Sequence, residues 1–248
     1  MVILSILFFI TAILYSSVGF GGGSTYLALL LVWDIPFYIF PVIALMCNII
    51  VVSGNCYNYI KAGNHNFKLL VPFLIGSIPM AFIGGTLEIS KNTFEILLFL
   101  VLSIAGVLLL INNKSYQEDS FKIKKSNPFF FILIGSILGF ISGVVGIGGG
   151  IFLSPILFLL KSEKPKNIAT SASIFILINS ISGILGQFTK ELIINEIIIY
   201  LPLFFSVLIG GLIGNYLNLK ILNGRILAII TSLLVIFVSI RMGLKIFI

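Results

Sequence analysis

The stretch from Gly19 to Leu31 reads GFGGGSTYLALLL, and the stretch from Gly146 to Leu160 reads GIGGGIFLSPILFLL. Each puts three consecutive glycines, with a fourth two residues earlier, inside a long apolar run. Glycine in a helix interior costs about 1 kcal/mol against alanine, so both clusters predict a break. A break in the middle of an apolar run must be explained by what it builds.

The chain has 248 residues, 59% of them hydrophobic and 9% charged, and a mean hydropathy of +1.21. Soluble domains carry about 25% charged residues, so composition alone points to the lipid bilayer as the medium of this chain. Apolar runs long enough for a hydrocarbon core of about 30 Å recur along its length. They are continuous rather than alternating, which predicts helices and not a β-barrel. The first run, Met1 to Tyr15, has neither a basic start nor a small-residue cleavage pattern and reads as a retained segment. The net charge of +7 sits in short loops, where membrane topology accounts for it, and no nucleic acid is expected as a partner. Cys47 and Cys56 lack metal-ligand spacing and read as small packing residues.

The glycine clusters belong to a larger repeat. Gly19, Gly21, Gly22 and Gly23 match Gly146, Gly148, Gly149 and Gly150 at an offset of 127 residues. Pro72, Gly84 and Leu87 match Pro202, Gly214 and Leu217 at 130, and Asn48 matches Asn179 at 131. The polar stretch 113–127 is the natural linker, taken as cytoplasmic, between a first membrane repeat at 1–112 and a second at 128–248. Each repeat holds five apolar segments: 2–18, 24–33, 36–60, 68–87 and 93–111, then 129–145, 151–160, 167–189, 197–218 and 224–247. The segment after each cluster has about ten residues, or about 15 Å of helix, half a bilayer core. The predicted fold is all-α and polytopic: two inverted five-segment repeats, each with a glycine-broken hairpin and three full transmembrane helices.

Basic residues set the orientation. With the linker inside and the repeats inverted, eleven lysines and arginines face the cytoplasm, and Lys91, Lys190, Arg241 and Lys245 face outward. Parallel repeats would score nine against six, so inversion is preferred. Inverted repeats with helices broken at mid-membrane are an architecture of secondary transporters. The two glycine turns would then meet from opposite faces and build one site.

A turn made of glycine cannot cover its own N–H groups, and it opens the positive end of the following short helix. Converging amides at a helix start form an anion site. The acidic residues lie in loops or near segment ends, and the single histidine, His65, is in a loop. No carboxylate is placed at mid-depth for a cation or a metal, and no nucleophile–base pair for catalysis. No enzyme activity, metal or cofactor is expected. The predicted anion-binding residues are Gly21, Gly22, Gly23, Ser24 and Thr25 from the first turn. Gly148, Gly149, Gly150 and Ile151 come from the second, and Asn48, Thr170, Ser171 and Asn179 from the third segments.

These residues resemble the sulfite exporter TauE/SafE family, also called TSUP. The resemblance rests on Gly19-Phe20-Gly21-Gly22-Gly23, on Gly146-Ile147-Gly148-Gly149-Gly150 and on Pro155. It also rests on IATSAS, Ile168 to Ser173, and YIKAGN, Tyr59 to Asn64, and it spans nearly the whole chain. It implies translocation of small anions such as sulfite, thiosulfate or sulfonates, and residence in a prokaryotic plasma membrane. Alternating access, by rocking of one repeat against the other, would carry the substrate. The alternative from another class is a non-transporting scaffold or assembly factor whose glycine turns only pack helices.

Overall fold

The computed structural model describes residues 1–17, 19–33, 35–111, 127–160, 163–190 and 197–220, with isolated positions between 233 and 244. Among the described residues there are nine α-helices and no strand. They are α1 (Val2–Ser17), α2 (Gly23–Val32), α3 (Phe40–Lys61), α4 (Phe67–Thr86) and α5 (Lys91–Ile111) in the first repeat. The second repeat adds α6 (Pro128–Val145), α7 (Gly150–Leu159), α8 (Pro165–Gln187) and α9 (Leu201–Lys220). Five described spans, including Phe37–Lys61 and Lys166–Gln187, are long and apolar enough to cross a membrane. The predicted linker, apart from Asn127, and most of the predicted segment 224–247 lie outside the described residues. So do Asp34, Glu118, Asp119, Glu191 and Glu196.

Local sequence sets the helix ends. Asn66 caps α4 by accepting the Leu69 N–H at 3.3 Å. Asn127 caps α6 by accepting the Phe129 N–H at 3.1 Å, with Pro128 in the first turn, where its missing N–H costs nothing.

Residue pairs across the interfaces give the helix directions. Along α4 and α6, Gly76 faces Ile132 and Ser136, Ser77 faces Gly139 and Ala81 faces Gly143, so the two run the same way. Helices α1 and α9 also run together, with Phe9 at Gly210 and Ile13 at Gly214. Helix α8 follows α4: the Ser182 hydroxyl donates to the Ile78 carbonyl at 2.6 Å, and Gly186 faces Phe82. Helix α3 follows α9, with Val51 at Gly211 and Gly54 toward Asn215. Helices α3 and α8 oppose each other: Leu45 packs on Gly183, while Tyr59 and Ala169 meet around Gly19.

The chain turns back between α1 and α2. Tyr26 of α2 stacks on Phe8, well before the end of α1, with ring centroids 4.6 Å apart. Gly23 lies against Asn48, near the middle of α3. Ten residues of α2 give about 15 Å of helix, enough to return the chain from that level to the start of α3.

Glycines carry the tightest interfaces. Apolar side chains gain little by leaving lipid for one another, so close van der Waals approach drives helix association in a bilayer. Gly76 and Gly84 on α4, and Gly135, Gly139 and Gly143 on α6, all face main chain across the interface. Gly210 and Gly214 do the same toward α1. The outward faces stay apolar: Ile75, Phe205, Ile209 and Leu212 are exposed, as a surface solvated by lipid requires. Gly139→Val would drive a side chain into the Ser77 backbone. The expected cost is about 3 kcal/mol or more, seen as a lower thermal midpoint in detergent. Gly54→Ala, whose nearest neighbour is 3.6 Å away, should unfold at or above the wild-type midpoint.

Candidate functional site

The two glycine clusters end one helix and begin the next. Gly19, at φ +82°, closes α1: its own N–H reaches the Ser16 carbonyl, and the Phe20 N–H reaches that of Tyr15 at 2.8 Å. That is a Schellman end, which favours glycine at its left-handed position. Gly146, at φ +85°, ends α6 with its N–H on the Ser142 carbonyl at 2.8 Å. Three residues after each stands another left-handed glycine, Gly22 at φ +87° and Gly149 at φ +78°, and Gly148 at φ +85° is left-handed as well. Their carbonyls accept the first hydrogen bonds of α2 and α7.

The remaining glycines make room for neighbours. A Cβ on Gly21 would fall on the Asn48 side chain, and one on Gly23 would lie 2.7 Å from Asn48 Nδ2 and 3.0 Å from the Ile147 carbonyl. A Cβ on Gly148 would lie 3.0 Å from the same Asn48 Nδ2. The two turns therefore meet at one side chain. Asn48 Nδ2 donates to the Ile147 carbonyl at 2.9 Å, tying the first repeat to the second turn. Reciprocally, the Ser173 hydroxyl of α8 donates to the Gly19 carbonyl of the first turn at 2.6 Å.

These bonds satisfy carbonyls and leave donors over. Among the described residues, no hydrogen bond occupies the N–H groups of Gly21, Gly22, Gly23 and Ser24, or those of Gly148, Gly149, Gly150 and Ile151. Four buried side-chain oxygens at the turns also have no partner among the described residues: Asn48 Oδ1, the Tyr26 hydroxyl, Ser142 Oγ and Ser180 Oγ. Tyr26 borders Gly22, Ser142 borders Gly149 and Ser180 borders Gly148. A buried polar atom without a partner costs roughly 1–3 kcal/mol, so this concentration suits a place that receives a polar guest. No three His, Cys, Asp or Glu side chains gather as a metal would need, among the described residues.

The predicted site residues divide in the structure. Gly21, Gly22, Gly23, Gly148, Gly149, Gly150 and Ile151 form the two facing turns, and Asn48 stands between them. The hydroxyls of Ser24 and Thr25 both engage the Tyr15 hydroxyl, at 3.3 and 2.8 Å. Thr170 donates to the Lys166 carbonyl of its own helix at 2.9 Å. Ser171 is buried, one residue beyond Thr170. Asn179, the repeat mate of Asn48, donates to its own Phe175 carbonyl at 2.8 Å and keeps an unpartnered oxygen. Tyr15, Tyr26, Ser142 and Ser180 were not among the predicted site residues. Ser142 lies four residues before Gly146 and Ser180 beside Asn179; the two tyrosines gave no signal, because aromatic rings at helical spacing read as packing.

Such a bundle, multi-pass and all-helical with interrupted helices at its centre, is the form of a membrane transport protein. The chain matches the family profile described as sulfite exporter TauE/SafE over residues 4–242, and it belongs to that family. It is 28% identical to the probable membrane transporter protein y4hK of Sinorhizobium fredii, covering 93% of each chain. A probable membrane transporter protein of Methanocaldococcus jannaschii is 31% identical over 76% of this chain and 73% of its own length. YunE of Bacillus subtilis, also described as a probable membrane transporter protein, is 25% identical over 94% of each chain. No solved structure matches the chain.

The unequal bonding of the two asparagines can be measured. Asn48→Leu leaves the Ile147 carbonyl buried without its donor, and should cost about 1–3 kcal/mol. Asn179→Leu breaks only a bond within one helix, to a carbonyl of the helical ladder, and should cost less. Thermal unfolding of the two variants in detergent gives the comparison.

Proposed function

We propose that this protein is a permease for small anions, such as sulfite, thiosulfate, a sulfonate or a related organic anion. It works by alternating access in a prokaryotic plasma membrane. One observation carries this reading: two bare turns face each other around Asn48, and their amides and the bordering oxygens have no partners among the described residues. Open amides at the starts of two short helices add positive potential without a fixed charge. An anion there gains several hydrogen bonds and can still leave.

The two repeats are inverted in this reading. Support comes from the directions of equivalent helices: α3 opposes α8, while α1 and α9 run with α3, and α4 and α6 run with α8. The linker and the lysine-rich loops then face the cytoplasm.

Packing supports moving bodies drawn from both repeats rather than the repeats themselves. The extensive contacts of α4 with α6, and of α1 with α9, each join one repeat to the other. The bodies are then α4, α6 and α8 on one side and α1, α3 and α9 on the other. They meet along the α3–α8 seam, where Asn48 and Ser173 reach across. At the cytoplasmic end, the amides of Asn66 and Asn167 converge on the Glu163 carboxylate and tie the loop before α4 to the loop before α8. Opening inward would part Asn66 from Glu163.

In proteoliposomes, the purified chain should take up labelled sulfite or a sulfonate. Gly22→Val, with a branched side chain at φ +87° against Tyr26, should remain folded and lose at least about nine-tenths of the flux. A folded wild-type protein that moves none of these anions would favour the scaffold instead.

A further inference from the structure

A cavity of about 330 Å³ opens at the end of the bundle where α4 and α8 finish. Its wall includes Pro41, Val144, Glu88, Gln187 and Lys190. Two of these reach the glycine site: Val144 lies two residues before Gly146, and a Cβ on Gly146 would fall 2.7 Å from the Pro41 Cα. The cavity therefore ends beside the second turn. Its volume is about ten times the roughly 30 Å³ that a water molecule takes in the liquid. A small oxyanion fits there with part of its hydration shell.

One cation is fixed in this wall. Lys190 Nζ donates to the Leu87 carbonyl at 2.7 Å and to Gln187 Oε1 at 3.0 Å. Gln187 is buried and is held in turn by its Nε2 donating to the Gly143 carbonyl at 3.3 Å. Both acceptors on Lys190 are neutral, and no carboxylate among the described residues forms an ion pair with it. An ammonium has three N–H donors, so one has no acceptor among the described residues. Burial pushes the Lys190 pKa down, against a smaller opposing effect of the Glu88 charge. A partly desolvated cation with a spare donor, aimed by a chain of bonds from α6, is built to receive an anion.

We propose that this cavity is an outer waiting subsite, in which Lys190 holds a small oxyanion before it passes to the glycine turns. The inference rests on the permease reading. Lys190 binds the anion directly, and Gln187 is a positioning residue. Leu87 follows α4 and Lys190 follows α8, two helices of one moving body, so the subsite travels with that body.

The test uses the full chain, with labelled sulfite flux in proteoliposomes and sulfite-dependent thermal stabilisation in detergent. Lys190→Gln should raise the KM for sulfite at least about fivefold while maximal flux stays within about twofold. The concentration giving half-maximal stabilisation should rise in parallel. Lys190→Arg should keep the wild-type KM within about twofold, and so should Lys91→Gln, an exposed charge at the same end. An unchanged KM in Lys190→Gln would overturn the subsite and leave the permease reading standing. Stabilisation by sulfite that depends on Lys190, in a wild-type protein without flux, would keep Lys190 as an anion site but overturn its waiting role together with the permease reading. A wild-type protein that neither moves sulfite nor is stabilised by it would overturn both.

Discussion

A peptide group placed in hydrocarbon must find a partner, and the rest of this structure depends on how two interruptions at mid-depth meet that demand. The carbonyl side is met from across the molecule. Asn48 of the first repeat takes the Ile147 carbonyl, and Ser173 of the second takes that of Gly19. Gly22 and Gly149 give their carbonyls to the helices that follow. Among the described residues the amide side is left unmatched, and the proposed anion path rests on that imbalance.

The same residue type serves two purposes. In the turns, glycine permits left-handed backbone and lets Asn48 come against main chain from two directions. In the long helices it brings α4 onto α6 and α9 onto α1 at backbone contact. Lipid gives little reward for burying one apolar side chain against another, so these close approaches carry much of the association. Between these flanking interfaces α3 packs on α8, with Leu45 on Gly183, and Asn48 and Ser173 add polar bonds to the turns.

Much of this was legible in the primary structure. Runs of apolar residues marked seven of the nine described helices to within two residues and the starts of α3 and α9 to within four, because in a membrane the hydropathy pattern and the helix are nearly the same information. The duplicated glycines pointed to two equivalent turns, since little else explains four glycines repeated at a fixed offset. Periodicity could not show which of two matched asparagines would reach across the seam. Asn48 and Asn179 are equivalent in the repeat, yet one bonds the opposite turn and the other its own helix. Such choices depend on small shifts between helices that the repeat does not encode. Thr170 looked like a ligand because it is a hydroxyl among apolar neighbours; its bond to Lys166 is the local option always open to threonine in a helix. Tyr15, which engages Ser24 and Thr25, was hidden by its aromatic ring.

The crossed pairing of helices also constrains how the molecule is born. Helices α1 and α4 find their principal partners in α9 and α6, all of which are made later. Until then the ribosome has delivered a half whose glycine-studded backbones, cut to fit one another, have only lipid to lie against. The first half must wait in the bilayer with its grooves empty, which makes the interval between the two halves of synthesis the time when insertion helpers or quality-control proteases have most to recognise.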